Sequence, residues 1–130
     1  LDRVVIGNAE SEKRHKLQGE RTASGVFRDL LWRHAGGGWF SYEVEVKPDS
    51  ENVLLCTYWG SDTGNRRFLI LVDGQQIARQ ELNREEPDTF FDVEYVILEE
   101  LTRGKNKVTV RLQAEGNTTA GGVFDLRTLK

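Results

Sequence analysis

The segment RFLILVDGQQIARQEL, Arg67–Leu82, has the pattern of a strand, a tight turn and a second strand. Its apolar first half ends at Asp73-Gly74, a dipeptide that accepts the positive φ angles of two-residue hairpin turns. Ile77–Leu82 then returns as a more exposed strand. The segment predicts an antiparallel hairpin, and the residues on both sides of it extend the same pattern.

Two further strands precede this hairpin. From Trp39 onward, residues alternate between an apolar and a polar face, as in a half-buried strand. The apolar face comprises Phe40, Tyr42, Val44 and Val46, and the polar face comprises Ser41, Glu43, Glu45 and Lys47. Val53–Trp59 is apolar on both faces, which is typical of a strand covered on both sides. These two strands either pair directly, with Phe40 opposite Trp59, or lie in opposite sheets of a jelly roll.

Three more strands follow the hairpin. Phe90–Leu98 keeps its large apolar residues in phase, and Val108–Ala114 alternates apolar with polar residues. Residues 99–107 predict one helical turn followed by a tight turn. Val123–Leu129 is the last predicted strand.

The first third of the chain is less regular. DRVVIG, residues 2–7, predicts a strand, and residues 8–16 predict a charged, exposed connection. In residues 24–38, four apolar residues fit a helical spacing: Val26, Phe27, Leu30 and Leu31. We favour a loop followed by a short strand at residues 32–35, which ends at three glycines.

About eight strands with no helix long enough for a crossover predict an all-β fold, an antiparallel β-sandwich of the jelly-roll type. The length of 130 residues fits a single β-sandwich domain, residues 1–130. The chain begins at Leu1 and contains no methionine. We therefore expect a processed chain or, as we favour, a domain cut from a longer protein.

The composition excludes several classes of function. Apolar residues make up 38% of the chain, charged residues 30%, and the net charge is −3. These values exclude membrane insertion and disorder, and the acidic balance argues against a nucleic acid partner. The single cysteine, Cys56, lies in an apolar run, which predicts a buried and unreactive thiol.

The sequence offers no recognisable catalytic or cofactor motif. His15 and His34 are the two histidines, and no carboxylates are placed to complete a metal site with them. The acidic pairs Glu85-Glu86 and Glu99-Glu100 lie in turn-like segments, so we interpret them as solvated surface. We therefore predict no catalytic residues and no cofactor.

The aromatic residues suggest a binding function. Trp39 is in phase with the polar face of its strand, whereas Trp59 is in phase with the apolar face. An indole can stack on a sugar ring or fill the core, and both interpretations remain open for Trp32, Trp39 and Trp59.

Of the adjacent Arg66 and Arg67, only one can point inward, and we favour a structural salt bridge for it. The expected acidic partners in neighbouring strands are Asp92, Glu94 and Asp125.

Several segments resemble those of galactose-binding-like β-sandwiches, the fold of many carbohydrate-binding modules. They include GGGWFSYEVEV, YWGSD, RRFLILVDG and the terminal AGGVFDLR. The similarity extends to the C-terminal β-sandwich of bacterial glycoside hydrolases of the β-L-arabinofuranosidase type, glycoside hydrolase family 127 and its relatives. It covers residues 4–129.

The resemblance implies a noncatalytic accessory domain, because the catalytic zinc and cysteine residues of those enzymes belong to a preceding helical barrel. Its partner would be the catalytic domain of the same chain, and its location periplasmic or extracellular. The alternative is a carbohydrate-binding module that recognises a plant-type glycan. The candidate binding residues are Trp32, Trp39, Trp59 and Arg66. The resemblance also implies candidates for a structural calcium site near the chain ends: Glu10, Glu12 and Asp125.

Overall fold

The computed structural model describes residues 1–130 and consists of nine strands and two short helices. The strands are β1 (Asp2–Val4), β2 (Gln18–Phe27), β3 (Leu30–Glu45), β4 (Asn52–Trp59), β5 (Arg66–Val72), β6 (Gln75–Leu82), β7 (Phe90–Ile97), β8 (Lys107–Ala114) and β9 (Thr119–Leu129). The helices are α1 (Ala9–Arg14) and α2 (Glu99–Thr102). Neither helix has the length or apolar character that a membrane crossing requires.

All strand pairs are antiparallel. The strands follow the order β6-β5-β8-β3-β9-β4-β7, with β1 added to β9 and β2 added to β3. The first part of β9 pairs with β3, and its second part pairs with β4. Strand β9 therefore joins the two layers of an antiparallel β-sandwich, which confirms the predicted fold class.

The core lies between the two layers. Tyr58 of β4 packs against Phe68 of β5, with ring centroids 5.9 Å apart. At the far edges, Tyr95 of β7 donates a hydrogen bond to Gln80 of β6 at 2.7 Å, so the sandwich approaches a closed barrel. Cys56 is fully buried as predicted, and burial raises the pKa of its thiol to about 12.

The central hairpin and the alternating strands are confirmed. Asp73 and Gly74 form the turn between β5 and β6, with φ angles of 47° and 84°. The predicted apolar faces of β3 and β8 are buried, and α2 provides the predicted helical turn. The alternation therefore identifies the side of each strand that faces the core.

The direct pairing of Phe40 with Trp59 is wrong. Strand β3 pairs with β2, β8 and β9, while β4 pairs with β7 and β9. Strand β9 lies between β3 and β4. The two apolar faces match because both face the same core and not because the strands are neighbours.

The prediction for residues 24–38 is right about a strand at residues 32–35, which lie in β3, but wrong about the loop before it and about its end at the glycines. These residues belong to a long hairpin in which Gly25 pairs with Trp32 and Phe27 with Leu30. Its turn residues, Arg28 and Asp29, have φ angles of 50° and 64°. Since hairpin turns of this kind favour Asn and Gly, an Arg-Asp turn gives little sequence signal. The apolar residues on both sides of it imitate a helical spacing.

The predicted exposed connection at residues 8–16 contains helix α1. Asn8 caps this helix by accepting a hydrogen bond from the backbone N–H of Ser11 at 2.9 Å. Ser11, Glu12 and His15 are buried, so one side of this charged segment faces the protein. A helix of six residues is too short for its periodicity to be visible in the sequence.

Helix α1 is joined to β3 by a buried ion pair. Arg33 donates hydrogen bonds from Nε and Nη2 to the two carboxylate oxygens of Glu12, at 2.7 and 2.9 Å. The hydroxyl of Tyr42 also donates to Glu12. Burial raises the pKa of Glu12, but the hydrogen bonds from Arg33 and Tyr42 outweigh it, and the pKa lies below its ordinary value of 4.5. Glu12 is therefore ionised at neutral pH.

We expect Glu12→Gln to lower the free energy of unfolding by about 3–5 kcal/mol at pH 7, because it leaves the Arg33 guanidinium buried without a counter-charge. Urea denaturation measures this change. The control is Glu10→Gln, which removes an exposed carboxylate from the same helix and should change stability by less than about 0.5 kcal/mol.

The same pair gives a pH dependence of defined sign. The pKa of Glu12 in the folded state lies below 4.5. Its contribution to stability is therefore complete above the pKa of the unfolded state and is lost as the pH falls below 4.5. The difference in stability between the wild type and Glu12→Gln should therefore shrink under acid conditions. A difference that is constant across this range would contradict the ion-pair argument.

The residues near the chain ends do not fit a calcium site. Both oxygens of Glu12 are occupied by Arg33, and Asp125 accepts hydrogen bonds from Arg3 at 3.0 Å and Arg127 at 2.7 Å. Glu10 is exposed. No group of three or more His, Cys, Asp and Glu side chains is placed to hold a metal ion. The guanidinium of Arg33 supplies the positive charge that the Glu12 carboxylate needs.

We expect calcium chloride and EDTA to leave the thermal unfolding midpoint unchanged, because a ligand that binds only the folded state would raise it. Magnesium chloride at the same concentration controls for ionic strength. A rise in the midpoint that calcium produces and magnesium does not would contradict this interpretation.

Candidate functional site

One cleft of about 410 Å³ opens at the end of the sandwich where β2 ends and β5 begins. Its lining residues come from strands that are distant in sequence but share this end of the fold. They are Val26, Phe27, Trp32, His34, Trp59, Ser61, Asp62, Arg66, Gly122 and Phe124. The cleft combines apolar rings with charged and hydroxyl side chains.

Four aromatic side chains form one side of the cleft and its support. Phe27 lies 5.1 Å from Trp59 and 6.4 Å from Phe124, measured between ring centroids. Phe90 lies 4.8 Å from Trp59 and 4.9 Å from Phe124, which closes the ring of contacts. We call these four residues the aromatic quartet. Their edge-to-face and tilted packing fixes the orientation of each ring.

The turn of the β2–β3 hairpin covers the outer edge of this quartet. The guanidinium carbon of Arg28 lies 4.7 Å from the ring centroid of Trp59 and 5.5 Å from that of Phe27. At these distances a cation is attracted to the face of an aromatic ring. Trp59 is only 8% exposed, so it is packed, and it also lines the cleft.

Trp32 and His34 form a second aromatic surface in the cleft. Alternation along β3 points both side chains to the same face of the strand, and their ring centroids are 4.6 Å apart. Both are half-buried. Burial lowers the pKa of His34 below its ordinary value of 6.5, and the charge of Arg66 lowers it further. His34 is therefore neutral at pH 7 and can both donate and accept hydrogen bonds.

The polar side of the cleft is formed by the loop after β4 and the start of β5. Arg66 donates hydrogen bonds to the backbone carbonyls of Thr63 at 3.1 Å and Gly121 at 3.0 Å. Burial raises the pKa of Asp62, and the positive charge of Arg66 offsets part of that rise. Two of the five guanidinium N–H groups are therefore used to fix Arg66, which leaves donors for a ligand.

We expected Arg66 or Arg67 to form a structural salt bridge with Asp92, Glu94 or Asp125, and this prediction of the partners is wrong. Arg66 is held by backbone carbonyls, and Arg67 lies 4.0 Å from Glu115. Of the expected partners, Asp92 accepts a hydrogen bond from Thr57, and Asp125 binds other arginines. The start of β5 lies beside the cleft and not opposite these carboxylates.

The cleft contains three of the four candidate binding residues, namely Trp32, Trp59 and Arg66. Trp39 lies outside it and is half-buried. The Arg111 guanidinium carbon lies 3.8 Å from a ring centroid of Trp39, so the indole is covered by a cation. Trp39 therefore does not share the cleft with the other three residues.

Sequence reasoning did not select Phe27, Asp62 or Phe124, and it considered His34 only as a metal ligand. Phe27 was missed because its hairpin was not predicted. Asp62 belongs to the polar loop SDTGN, whose composition is typical of any surface loop. Strand alternation does place Trp32 and His34 on one face of β3, and this was the sequence signal that could have linked His34 to the cleft.

Stacking and hydrogen bonding are the chemistry that this cleft provides. Its rings offer flat apolar surfaces, while Ser61, Asp62, His34 and Arg66 offer donors and acceptors at the rim. Ligand sites commonly combine mostly apolar walls with a few polar groups that fix orientation. The cleft therefore fits a small ligand that has both apolar faces and hydroxyl groups.

Several solved structures share this fold. A family 35 carbohydrate-binding module from Clostridium thermocellum matches with a TM-score of 0.70 at 15% identity, covering 98% of each chain. A module of the same family from Paenibacillus barcinonensis matches at 0.62 and 8% identity, covering 88% of this chain and 92% of that one. An exo-β-1,3-galactanase from Phanerochaete chrysosporium, solved with β-1,3-galactotriose, matches at 0.63 and 9% identity, covering 90% of this chain and 28% of that enzyme.

The sequence comparisons define the family. No protein with a curated description matches this sequence. The model of a family of unknown function, DUF6805, matches residues 1–129 and so covers nearly the whole chain. The chain therefore belongs to the DUF6805 family.

Proposed function

We propose that this domain is a noncatalytic carbohydrate-binding module and that the cleft at the end of the sandwich holds the glycan. The observation that carries this proposal is the convergence of Trp32, Trp59 and Arg66, together with Asp62 and His34, in one cleft of about 410 Å³. A sugar ring presents C–H groups on its faces and hydroxyls at its edge. Aromatic walls with polar side chains at the rim match both features.

The volume of the cleft favours a short glycan segment, because small-ligand pockets typically have about 300–1,000 Å³. The shared fold supports the proposal as well, since the similar structures include two modules described as carbohydrate-binding and an enzyme solved with a galactose trisaccharide. An export location would bring such a module to a plant-type glycan. We include a periplasmic or extracellular location in the proposal.

We expect isothermal titration calorimetry to detect binding of a glycan with a Kd of roughly millimolar or tighter. The panel consists of arabinans, galactans including β-1,3-galactotriose, and pectic fragments. Trp32→Ala should weaken binding by about tenfold or more, because it removes an aromatic stacking surface. Circular dichroism checks that the variant remains folded.

The matched control is Trp39→Ala, which removes an indole outside the cleft and should leave affinity unchanged. Asp62→Asn tests the polar rim, where the loss of a carboxylate should weaken a charge-assisted hydrogen bond to a sugar hydroxyl. The proposed site would be contradicted if the wild type bound no glycan of the panel, or if Trp32→Ala and Trp39→Ala lost affinity equally.

A second proposed function is supported by the exposed tip of the β2–β3 hairpin. Val26 is 65% exposed and Leu30 45%, and Phe27 and Leu31 beside them are also exposed. A cluster of exposed apolar side chains typically marks a contact with another protein surface. We propose that the domain packs against the catalytic domain of a longer glycoside hydrolase of the same chain and stabilises it.

In the full-length protein encoded by the gene, Leu30→Ser should lower the thermal midpoint of the neighbouring domain because it removes an apolar contact. The control is Val96→Ser, since Val96 is similarly exposed, at 47%, on strand β7. Differential scanning calorimetry separates the transitions of the two domains. Equal effects of the two substitutions would contradict a docking role for the hairpin tip.

A further inference from the structure

The Trp32 indole occupies space that any side chain at position 25 would take. Gly25 is the cross-strand partner of Trp32 in the β2–β3 hairpin. A Cβ atom built on Gly25 would lie 2.5 Å from Cζ2, 2.8 Å from Cε2 and 3.1 Å from Cη2 of Trp32. These atoms belong to the six-membered part of the indole. The ring therefore lies directly against the glycine backbone.

Directly opposite residues on one face of an antiparallel pair normally hold their Cβ atoms about 4.5–5.5 Å apart and fill the space between the strands jointly. With glycine at one position, the aromatic residue can cover the neighbouring strand instead. Trp32 also lies beside the ring of His34, with ring centroids 4.6 Å apart. The indole thus contacts both a bare backbone and an imidazole.

We infer that Gly25 is a positioning residue for ligand binding, because it holds the Trp32 indole flat in the cleft. This inference rests on the proposed carbohydrate-binding function. A stacking surface that is already fixed before the ligand arrives loses less conformational entropy on binding. Gly25 itself contributes no side chain to the ligand; it acts through the orientation of Trp32.

The structure separates this role from a contribution to folding. The atoms that a Cβ at position 25 would meet are at the far end of the Trp32 side chain, which can rotate away. Gly25 has no positive φ angle, so its backbone accepts alanine. We therefore expect Gly25→Ala to keep the fold, displace the indole and reduce glycan affinity by about tenfold.

The test compares Gly25→Ala with Gly36→Ala, a substitution in β3 where an added Cβ meets nothing within 4 Å. Two readouts are measured for each variant. In NMR spectra without a ligand, the Trp32 indole signal and its nuclear Overhauser contact with residue 25 report the position of the ring. Calorimetry with the glycan panel reports affinity. The expected result is a shifted indole and weaker binding in Gly25→Ala only, with the urea midpoint unchanged in both variants.

A double-mutant cycle tests whether Gly25→Ala changes glycan affinity through Trp32. Phenylalanine at position 32 lacks the second ring that an added Cβ would meet, so Gly25→Ala should have little further effect in the Trp32→Phe background. Non-additivity of this kind is the signature of two residues that act through one contact. Additive losses would overturn the inference.

The remaining outcomes are also decisive. An indole signal that does not change in Gly25→Ala overturns the inference, whatever the affinity. A shifted indole with wild-type affinity overturns the positioning role but leaves the proposed function intact. Failure of the wild type to bind any glycan contradicts the proposed function and the inference with it.

Discussion

The buried ion pair between Arg33 and Glu12 is the interaction on which the rest of the site depends. It fixes the first half of β3, whose second half lies in the core, to helix α1 near the start of the chain. A buried charge is tolerated only when its partner is present, so the pair allows one position of the strand relative to the helix. The hydrogen bond from Tyr42 to the same carboxylate extends this constraint along β3.

Strand alternation connects this constraint to the cleft. Arg33 points to one face of β3, and its neighbours Trp32 and His34 point to the other, where they line the cleft. The same three residues therefore serve the interior and the binding surface. Because the Arg33 guanidinium is fixed by two hydrogen bonds to Glu12 and one to Thr22, the backbone that carries Trp32 is fixed as well. Precise placement of a stacking ring needs support of this kind behind it.

How much of the fold and of the cleft could be predicted from the sequence depends on how far apart in sequence the interacting residues are. The hairpin at Asp73-Gly74 and the faces of β3 and β8 follow from local turn chemistry and period-two alternation. The position of β9 between β3 and β4 is a long-range pairing, and nothing in the local pattern specifies it. The cleft was predicted in part: indoles can be selected from composition, but Phe27 enters the cleft only through a hairpin whose Arg28-Asp29 turn carries little sequence signal.

That turn also explains how the hairpin tip and the cleft are coupled. The left-handed conformation costs a non-glycine residue about 1 kcal/mol or more, and both Arg28 and Asp29 adopt it. The contacts of Phe27 with Trp59 and Phe124, and of Arg28 with the face of Trp59, offset this cost. The tip is therefore held by the side of the cleft itself. A ligand that stacks in the cleft and a partner that touches the tip would each act on the same group of rings.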